Sequence, residues 1–165
     1  PIAAAVVLSA LTACSSDTTP VSSAPPPASQ STGQQQTASG YATVVSDQVT
    51  LDRLLNNKGM TLQWITWDQR GSVHTRWDGD VLQMRGSQSA ADGRGRVEID
   101  GHVSEVGKDY FTFKGKIRIT DTPDPGRSCE MDKTWHFAIT QNRPYYRLRE
   151  FEWCDYLTDY IDIYF

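Results

Sequence analysis

The side chains best suited to recognition lie in one segment, PYYRLREFEW, at residues 144–153. If this segment is extended, Tyr145, Arg147 and Arg149 share one face and the residues between them face inward, because side chains alternate across a strand. Tyrosine and arginine dominate the energetics of many interfaces, and aromatic rings also stack on sugars. We therefore predict that Tyr145, Arg147 and Arg149 form a binding surface for a protein or a glycan.

The sequence offers little that is typical of a catalytic or metal site. Its three histidines are far apart and lack the paired spacing of zinc ligands. It contains no nucleophile-elbow, phosphate-loop or dinucleotide-binding motif. Two carboxylates that folding brings together could still be the catalytic pair of a glycosidase. The spacing of the acidic residues in the sequence does not show which two these would be. The acidic candidates are Glu98, Glu105, Glu150 and Glu152. We expect a protein that is not an enzyme and that needs no metal or cofactor.

The first residues have the pattern of an export signal. Residues 2–13 are uncharged and apolar or small, a run as long as the hydrophobic part of a signal peptide and too short to span a bilayer. The run ends in LTAC, residues 11–14, which resembles the lipobox of bacterial lipoproteins. That resemblance implies cleavage before Cys14 and acylation of its thiol and amino group; an ordinary signal peptide is the alternative. Because the sequence begins at Pro1 without a basic segment, we expect residues 1–13 to be a lipoprotein signal peptide that is truncated at its start.

Residues 14–40 are predicted to be the lipidated cysteine and a disordered tether. The segment is rich in Ser, Thr, Gln, Pro and Ala, and such a composition buries too little apolar surface to offset the entropy of ordering. Several acyl chains on Cys14 would anchor the protein stably, at about 0.8 kcal/mol per buried CH₂ group. Ser15 follows Cys14 in place of the Asp that is typical of inner-membrane lipoproteins in enteric bacteria. We therefore expect an envelope protein that is anchored in the outer membrane and faces the periplasm.

If Cys14 carries lipid, Cys129 and Cys154 remain as the two cysteines of the folded part. An oxidising compartment favours a disulfide between them, and neither has the spacing of a metal ligand. Closing a loop of this length stabilises a fold by about 3.5 kcal/mol in the chain-entropy model. We predict a Cys129–Cys154 disulfide.

Residues 41–165 are long enough for a single domain with one core. Apolar and polar residues alternate with period two, as in YFTFKGKIRIT at 110–120, and turn residues separate short runs. This pattern predicts an all-β, mainly antiparallel fold, either a small β-barrel or a β-sandwich. One short N-terminal helix is predicted from Thr50, as N-cap, to Gly59.

Three Asp-Gly pairs, at 78–79, 92–93 and 100–101, predict tight turns between strands. The last strand is predicted at 158–165. Its inward side chains would be Ile161, Ile163 and Phe165, and its outward ones Tyr160, Asp162 and Tyr164.

Charge excludes one class of partner. The sequence pI is near 5.3, whereas a nucleic-acid-binding domain is typically basic. Residues 150–165 carry five acids and no base, and residues 108–118 carry four bases and one acid. If these segments are neighbouring strands, their charges pair across the sheet; if they are not, the acidic end is a partner surface.

The segments RSCEMDKTWHFAIT and CDYLTDYIDIYF resemble a group of uncharacterised bacterial envelope lipoproteins, a resemblance that implies no particular activity. Our leading hypothesis is a lipid-anchored β-domain that binds a protein or glycan of the envelope. A more specific hypothesis is an inhibitor of a cell-wall hydrolase. It rests only on analogy with small anchored β-barrels that block lysozyme and share this general architecture. The alternatives are a structural envelope lipoprotein and a glycan-processing enzyme. The sequence leaves the oligomeric state open.

Overall fold

The computed structural model describes residues 41–165. The predicted signal peptide (1–13), the lipidated Cys14 and the tether (14–40) lie outside the described residues. In chain order the elements are β1 (Val44–Val45), α1 (Gln48–Leu55), β2 (Met60–Leu62), β3 (Ser72–Asp78), β4 (Val81–Ser89), β5 (Arg96–Gly107), β6 (Tyr110–Thr120), β7 (Ser128–Ala138), β8 (Tyr145–Leu148) and β9 (Ile161–Tyr164).

Eight strands form a sheet in the order β2-β9-β8-β7-β6-β5-β4-β3 that curls into a nearly closed barrel. All neighbours along this path are antiparallel, and β1 joins β5 in parallel. The predicted all-β, mainly antiparallel fold with one short N-terminal helix is therefore confirmed, and its architecture is a barrel. Within 41–165, no helix has the length and apolar character needed to cross a membrane.

Aromatic and aliphatic side chains fill the barrel interior. Phe111 and Phe137 stack with ring centroids 4.9 Å apart, and Tyr146 meets Phe111 edge-on at 5.4 Å. Trp135 is also fully buried, and its indole N–H donates to the carbonyl of Gly115 at 2.8 Å. Large side chains therefore occupy the barrel interior.

The barrel closes between β2 and β3 through one backbone bridge and one side chain. Met60 and Gly71 exchange backbone hydrogen bonds of 2.8 and 3.1 Å. Beside them Gln88, only 3% exposed, accepts a hydrogen bond from the backbone N–H of Leu62 at 2.6 Å. The Gln88 amide also donates to two carbonyl groups of the 63–71 loop, at 2.7 and 3.0 Å. A single amide side chain thus supplies the hydrogen bonds that a longer strand pairing would make.

A gap remains beside the first half of β7. β8 pairs with β7 only at Phe137 and Ala138, so residues 128–134 have no partner strand on this side within the part of the chain that the structure describes. On the inward face of this segment the ammonium group of Lys133 lies 4.4 Å from the ring centroid of Trp135. This part of β7 is therefore an unpaired strand edge, with a charged side chain on its inner face.

The helix begins three residues earlier than predicted. Asp47 is the N-cap, and its carboxylate accepts a hydrogen bond from the backbone N–H of Thr50 at 2.7 Å. Thr50 is instead buried inside the first turn, where its hydroxyl accepts from the backbone N–H of Asp109 at 3.2 Å. Both residue types are good N-caps, and the predicted position was wrong because Thr50 is needed for a tertiary contact. Gly59 has a φ of +92° but lies beyond the end of α1.

Of the three Asp-Gly pairs, the first forms the β3–β4 turn and the second lies in the β4–β5 connection. The third, at 100–101, is not a turn, because it lies in the middle of β5. Gly101 stands opposite Gly115 of β6, and a Cβ added to Gly101 would come within 2.7 Å of the Gly115 Cα. Glycine is required here for the close approach of two strands and not for chain reversal.

Candidate binding surface

The outer face of β8 and β9 centres on a buried ion pair. Arg147 stands opposite Asp162 in the register of the two strands. Its guanidinium donates two hydrogen bonds, each of 2.7 Å, to the Asp162 carboxylate, which is 0% exposed. Asp162 and Tyr164 lie on the outer face of β9, as predicted, but both are buried. Arg147 covers the first side chain, and Arg70 from the 63–71 loop stacks on the ring of the second at 3.9 Å.

Burial determines the electrostatics of this pair. Loss of hydration raises the pKa of Asp162, and the hydrogen bonds from Arg147 act against that rise. The same hydrogen bonds raise the pKa of Arg147 above its ordinary value. The Asp162 carboxylate neutralises the charge of Arg147, so this guanidinium holds the two strands together and is not a free cation.

Aromatic rings surround Arg147 on its exposed side. Its guanidinium carbon lies 4.1 Å from the ring centroid of Tyr160, 5.2 Å from that of Tyr145 and 5.8 Å from that of Trp67. Tyr160 in turn meets Phe151 edge-on at 5.3 Å. We call this region the aromatic–arginine surface. Its members are Trp67, Arg143, Tyr145, Arg147, Arg149, Phe151 and Tyr160.

The structure places all three residues of the predicted binding set on this surface, with unequal exposure. Tyr145 and Arg147 are half-buried, and Arg149 is exposed. Trp67 and Tyr160 were missed because they are distant from β8 in sequence and only the fold brings them beside Arg147. Phe151 lies within the segment 144–153 and was not included in the predicted set. The one available signal was the position of Trp67 in a polar stretch, TWDQR, where an aromatic residue has no strand pattern to explain it.

The segment that joins β8 to β9 is fixed at its base. A disulfide joins Cys129 to Cys154, with the two Cα atoms 6.1 Å apart. Arg127, whose side chain is 5% exposed, donates to Asp155 at 2.8 and 2.9 Å and to Asp159 at 2.9 and 3.0 Å. The hydrogen bonds to these carboxylates raise the pKa of Arg127, although burial opposes the rise. Two acids that are four residues apart are therefore held by one buried cation.

The same segment presents Tyr156 to solvent. Its side chain is 97% exposed. Asp155 and Tyr156 have φ values of 47° and 61°, a left-handed conformation that is uncommon for residues other than glycine. Because Cys154 and Asp155 are fixed on one side and Asp159 on the other, the ring is held outside the barrel by a loop of little freedom. We call residues 154–159 the Tyr156 loop.

The acidic end of the chain is not a free acidic surface. Asp155, Asp159 and Asp162 are engaged by the arginines described above. Glu150 accepts hydrogen bonds from the backbone N–H of His136 at 3.0 Å and from its Nδ1 at 2.6 Å. Burial pushes the pKa of Glu150 upward, but these hydrogen bonds leave it below its ordinary value. Four of the five acids are thus satisfied within the protein, and the prediction of an acidic partner surface is wrong.

The basic segment 108–118 also pairs elsewhere. It belongs mainly to β6, which pairs with β5 and β7 and not with β9. Lys116 pairs with Glu130 of β7 at 2.9 Å. The condition for charge pairing between the two segments is therefore not met.

A groove lies on the outer face of β3 to β7. It is an open groove of 380 Å³ whose lining includes no Trp, Tyr or Phe. Its charges are paired with one another, including Arg85 with Asp100 at 3.1 Å and Arg96 with Glu98 at 2.8 Å. Pairs of this kind stabilise a sheet, and they leave few groups available for a ligand. The aromatic–arginine surface is the stronger candidate.

The chain is thus a small antiparallel β-barrel domain with an external patch of aromatic rings and guanidinium groups. The chain belongs to the PM1083 family, whose model matches residues 42–165. It is similar to an uncharacterised protein, PM1083, of Pasteurella multocida (strain Pm70). The two are 33% identical over 116 residues, which cover 69% of this chain and 74% of that protein. No solved structure matches the chain.

Proposed function

We propose that the protein is a lipid-anchored binding protein of the bacterial cell envelope, and that it recognises a protein or glycan through the aromatic–arginine surface. The observation that carries the proposal is the row of rings around Arg147 on the outside of a filled barrel. Aromatic and arginine side chains contribute most of the energy at many binding surfaces, since they combine large contact area with directed hydrogen bonds.

Two observations support the location. The LTAC motif at 11–14 follows an apolar run, and both belong to the pattern of a lipoprotein signal. The disulfide between Cys129 and Cys154 fits an oxidising compartment. We expect Cys14→Ser to move the protein from the membrane fraction to the soluble periplasmic fraction and to abolish labelling by palmitate. Retention of both membrane association and label in this variant would contradict the anchor.

The binding proposal is tested by capture from the envelope. The oxidised chain from Tyr41 to Phe165 is immobilised and exposed to solubilised envelope proteins and to cell-wall fragments. We expect one partner to be retained and to be lost with Trp67→Ala. Trp77→Ala is the matched control, because Trp77 is 40% exposed and Trp67 44% exposed, and Trp77 lies at the β3–β4 hairpin. Equal retention by both variants would contradict the choice of surface.

The Tyr156 loop favours a narrower form of the proposal, inhibition of a cell-wall hydrolase. A single exposed ring on a rigid loop loses little entropy on entering the cleft of a partner. We expect the chain to slow lysis of a cell-wall suspension by lysozyme, and Tyr156→Ala to remove the effect. Tyr110→Ala is the control, because Tyr110 is an exposed tyrosine on β6. Undiminished lysis in the presence of the unmodified chain would remove lysozyme from the class of targets.

A further inference from the structure

We propose that the ligand of the aromatic–arginine surface is an anionic oligosaccharide, whose sugar rings stack on the aromatic side chains while its carboxylate or phosphate groups meet free guanidiniums. This inference rests on the proposed binding function and names the class of ligand.

Unpaired guanidiniums lie beside the rings. Among residues 41–165, Arg143, Arg149 and Arg70 form no ion pair, unlike Arg147. The guanidinium carbon of Arg143 is 5.9 Å from the ring centroid of Tyr145. That of Arg149 is also 5.9 Å from its neighbouring ring, Phe151. Each cation therefore stands where a charged substituent on a stacked sugar would reach it.

The arrangement separates two roles among the arginines. Arg147 is neutralised by Asp162, so it can offer hydrogen bonds to hydroxyl groups but no net charge. Arg143 and Arg149 lie on either side of it along the chain and keep their charge. Two exposed acids are near in sequence, Asp68 and Glu152, and neither bonds to these arginines. Along the chain the order is therefore a charged arginine, a neutralised one and a charged one. A ligand with anionic groups separated by uncharged sugar rings matches this order.

The shape of the surface favours a glycan over a protein. Tyr145, Phe151 and Tyr160 are half-buried, so they offer partly exposed rings to a ligand. Trp67 adds an exposed indole. Protein hot spots typically fill concave pockets on the partner, whereas a row of partly exposed rings is suited to the apolar faces of successive sugars.

Three defined probes test the proposal by calorimetry and by tryptophan fluorescence of the disulfide-bonded chain. A muropeptide carries carboxylates, a deacylated lipopolysaccharide core oligosaccharide carries phosphates, and chitotetraose is neutral. We expect at least one anionic probe to bind about tenfold more tightly than chitotetraose. Raising the salt concentration from about 0.05 to about 0.5 M should weaken that binding, since the attraction is screened. The two anionic probes distinguish a cell-wall source of the ligand from a lipopolysaccharide source.

Charge-removing variants assign the binding to this surface. We expect Arg143→Gln and Arg149→Gln each to weaken binding of the anionic probe about tenfold, as for the loss of a hydrogen bond to a charged group. Their effect on chitotetraose should be small. Arg76→Gln is the matched control, because Arg76 is exposed on β3 and forms no ion pair among the described residues.

The outcomes separate this inference from the function on which it rests. Equal affinity for neutral and anionic probes, or unchanged affinity in Arg143→Gln and Arg149→Gln, would overturn the anionic class. If no probe binds but an envelope protein is captured in a Trp67-dependent way, the ligand is a protein; this inference then fails and the proposed binding function stands. If no probe binds and nothing is captured, both fail.

Discussion

Arg147 of β8 and Asp162 of β9 are joined by two hydrogen bonds of 2.7 Å, and the carboxylate has no contact with solvent. This pair lies directly beneath the aromatic rings of the proposed binding surface. It therefore ties the position of the rings to the pairing of the last two strands, and a change of Arg147 is a poor test of binding because it also affects folding.

Removal of one partner of this pair should destabilise the fold strongly. Arg147→Met leaves the Asp162 carboxylate buried and unpaired, and we expect the free energy of unfolding to fall by about 3–5 kcal/mol. Urea denaturation measures the loss. The double variant Arg147→Met/Asp162→Leu should lose much less, because no charge remains buried. Arg149→Met, directly after β8, is the control, because Arg149 is exposed and forms no ion pair among the described residues; its expected change is within about 0.5 kcal/mol. Equal losses in the single and double variants would show that packing and not charge pairing is responsible.

Gln88 should be essential to the closure of the barrel. Gln88→Leu keeps a similar volume but leaves the Leu62 N–H and two carbonyls of the 63–71 loop without partners, so we expect a loss of at least about 2 kcal/mol. Amide hydrogen exchange should show faster exchange in β2 than in the wild type. Gln83→Leu, on the same strand, provides the comparison. Unchanged exchange in β2 would mean that the Met60–Gly71 bridge closes the barrel without help.

A methyl group at Gly101 should not be tolerated. In Gly101→Ala the added carbon would lie 2.7 Å from the Gly115 Cα and 2.9 Å from the Phe113 ring, and both neighbours are held by the sheet. We expect a loss of about 1–3 kcal/mol, the range for overpacked cores, measured by thermal denaturation. Gly93→Asn is the control, because its φ of +77° suits Asn and the space around it is open. Wild-type stability of Gly101→Ala would mean that β5 and β6 can separate locally.

Acid should weaken the fold partly through Glu150. Its pKa is below the ordinary value of 4.5 in the folded protein, so the folded state binds this proton less readily than the unfolded state. The contribution is complete above about pH 4.5 and is lost as the pH falls through the lower, folded-state pKa. We therefore expect the stability difference between wild type and Glu150→Gln to be largest near pH 6 and to shrink toward pH 3. The exposed Glu152→Gln serves as the control in the same urea titrations. A difference that does not change with pH would refute the assignment.

Local patterns in the sequence were sufficient for the strands but not for the surface. Alternation along β6 and β7 predicted which side chains face the core, since Phe113 and Trp135 face the same interior. The turn predicted at Asp100-Gly101 was wrong, because glycine is used both in tight turns and where two strands approach closely. Which of the two applies depends on the residue in the opposite strand, here Gly115. The burial of Asp162 and Tyr164 could not be predicted, because Arg147 covers the first and Arg70, from a loop that is distant in sequence, covers the second.

The unpaired edge of β7 affects how the protein behaves at high concentration, where strand edges of different molecules can meet. An unpaired strand edge is a template on which another chain can add, and natural proteins guard such edges with charged residues that point inward. Lys133 is in that position, above Trp135 at 4.4 Å. An incoming strand would have to strip water from this ammonium group before it could pair. We therefore expect the charge on Lys133 to oppose edge-to-edge pairing at this segment.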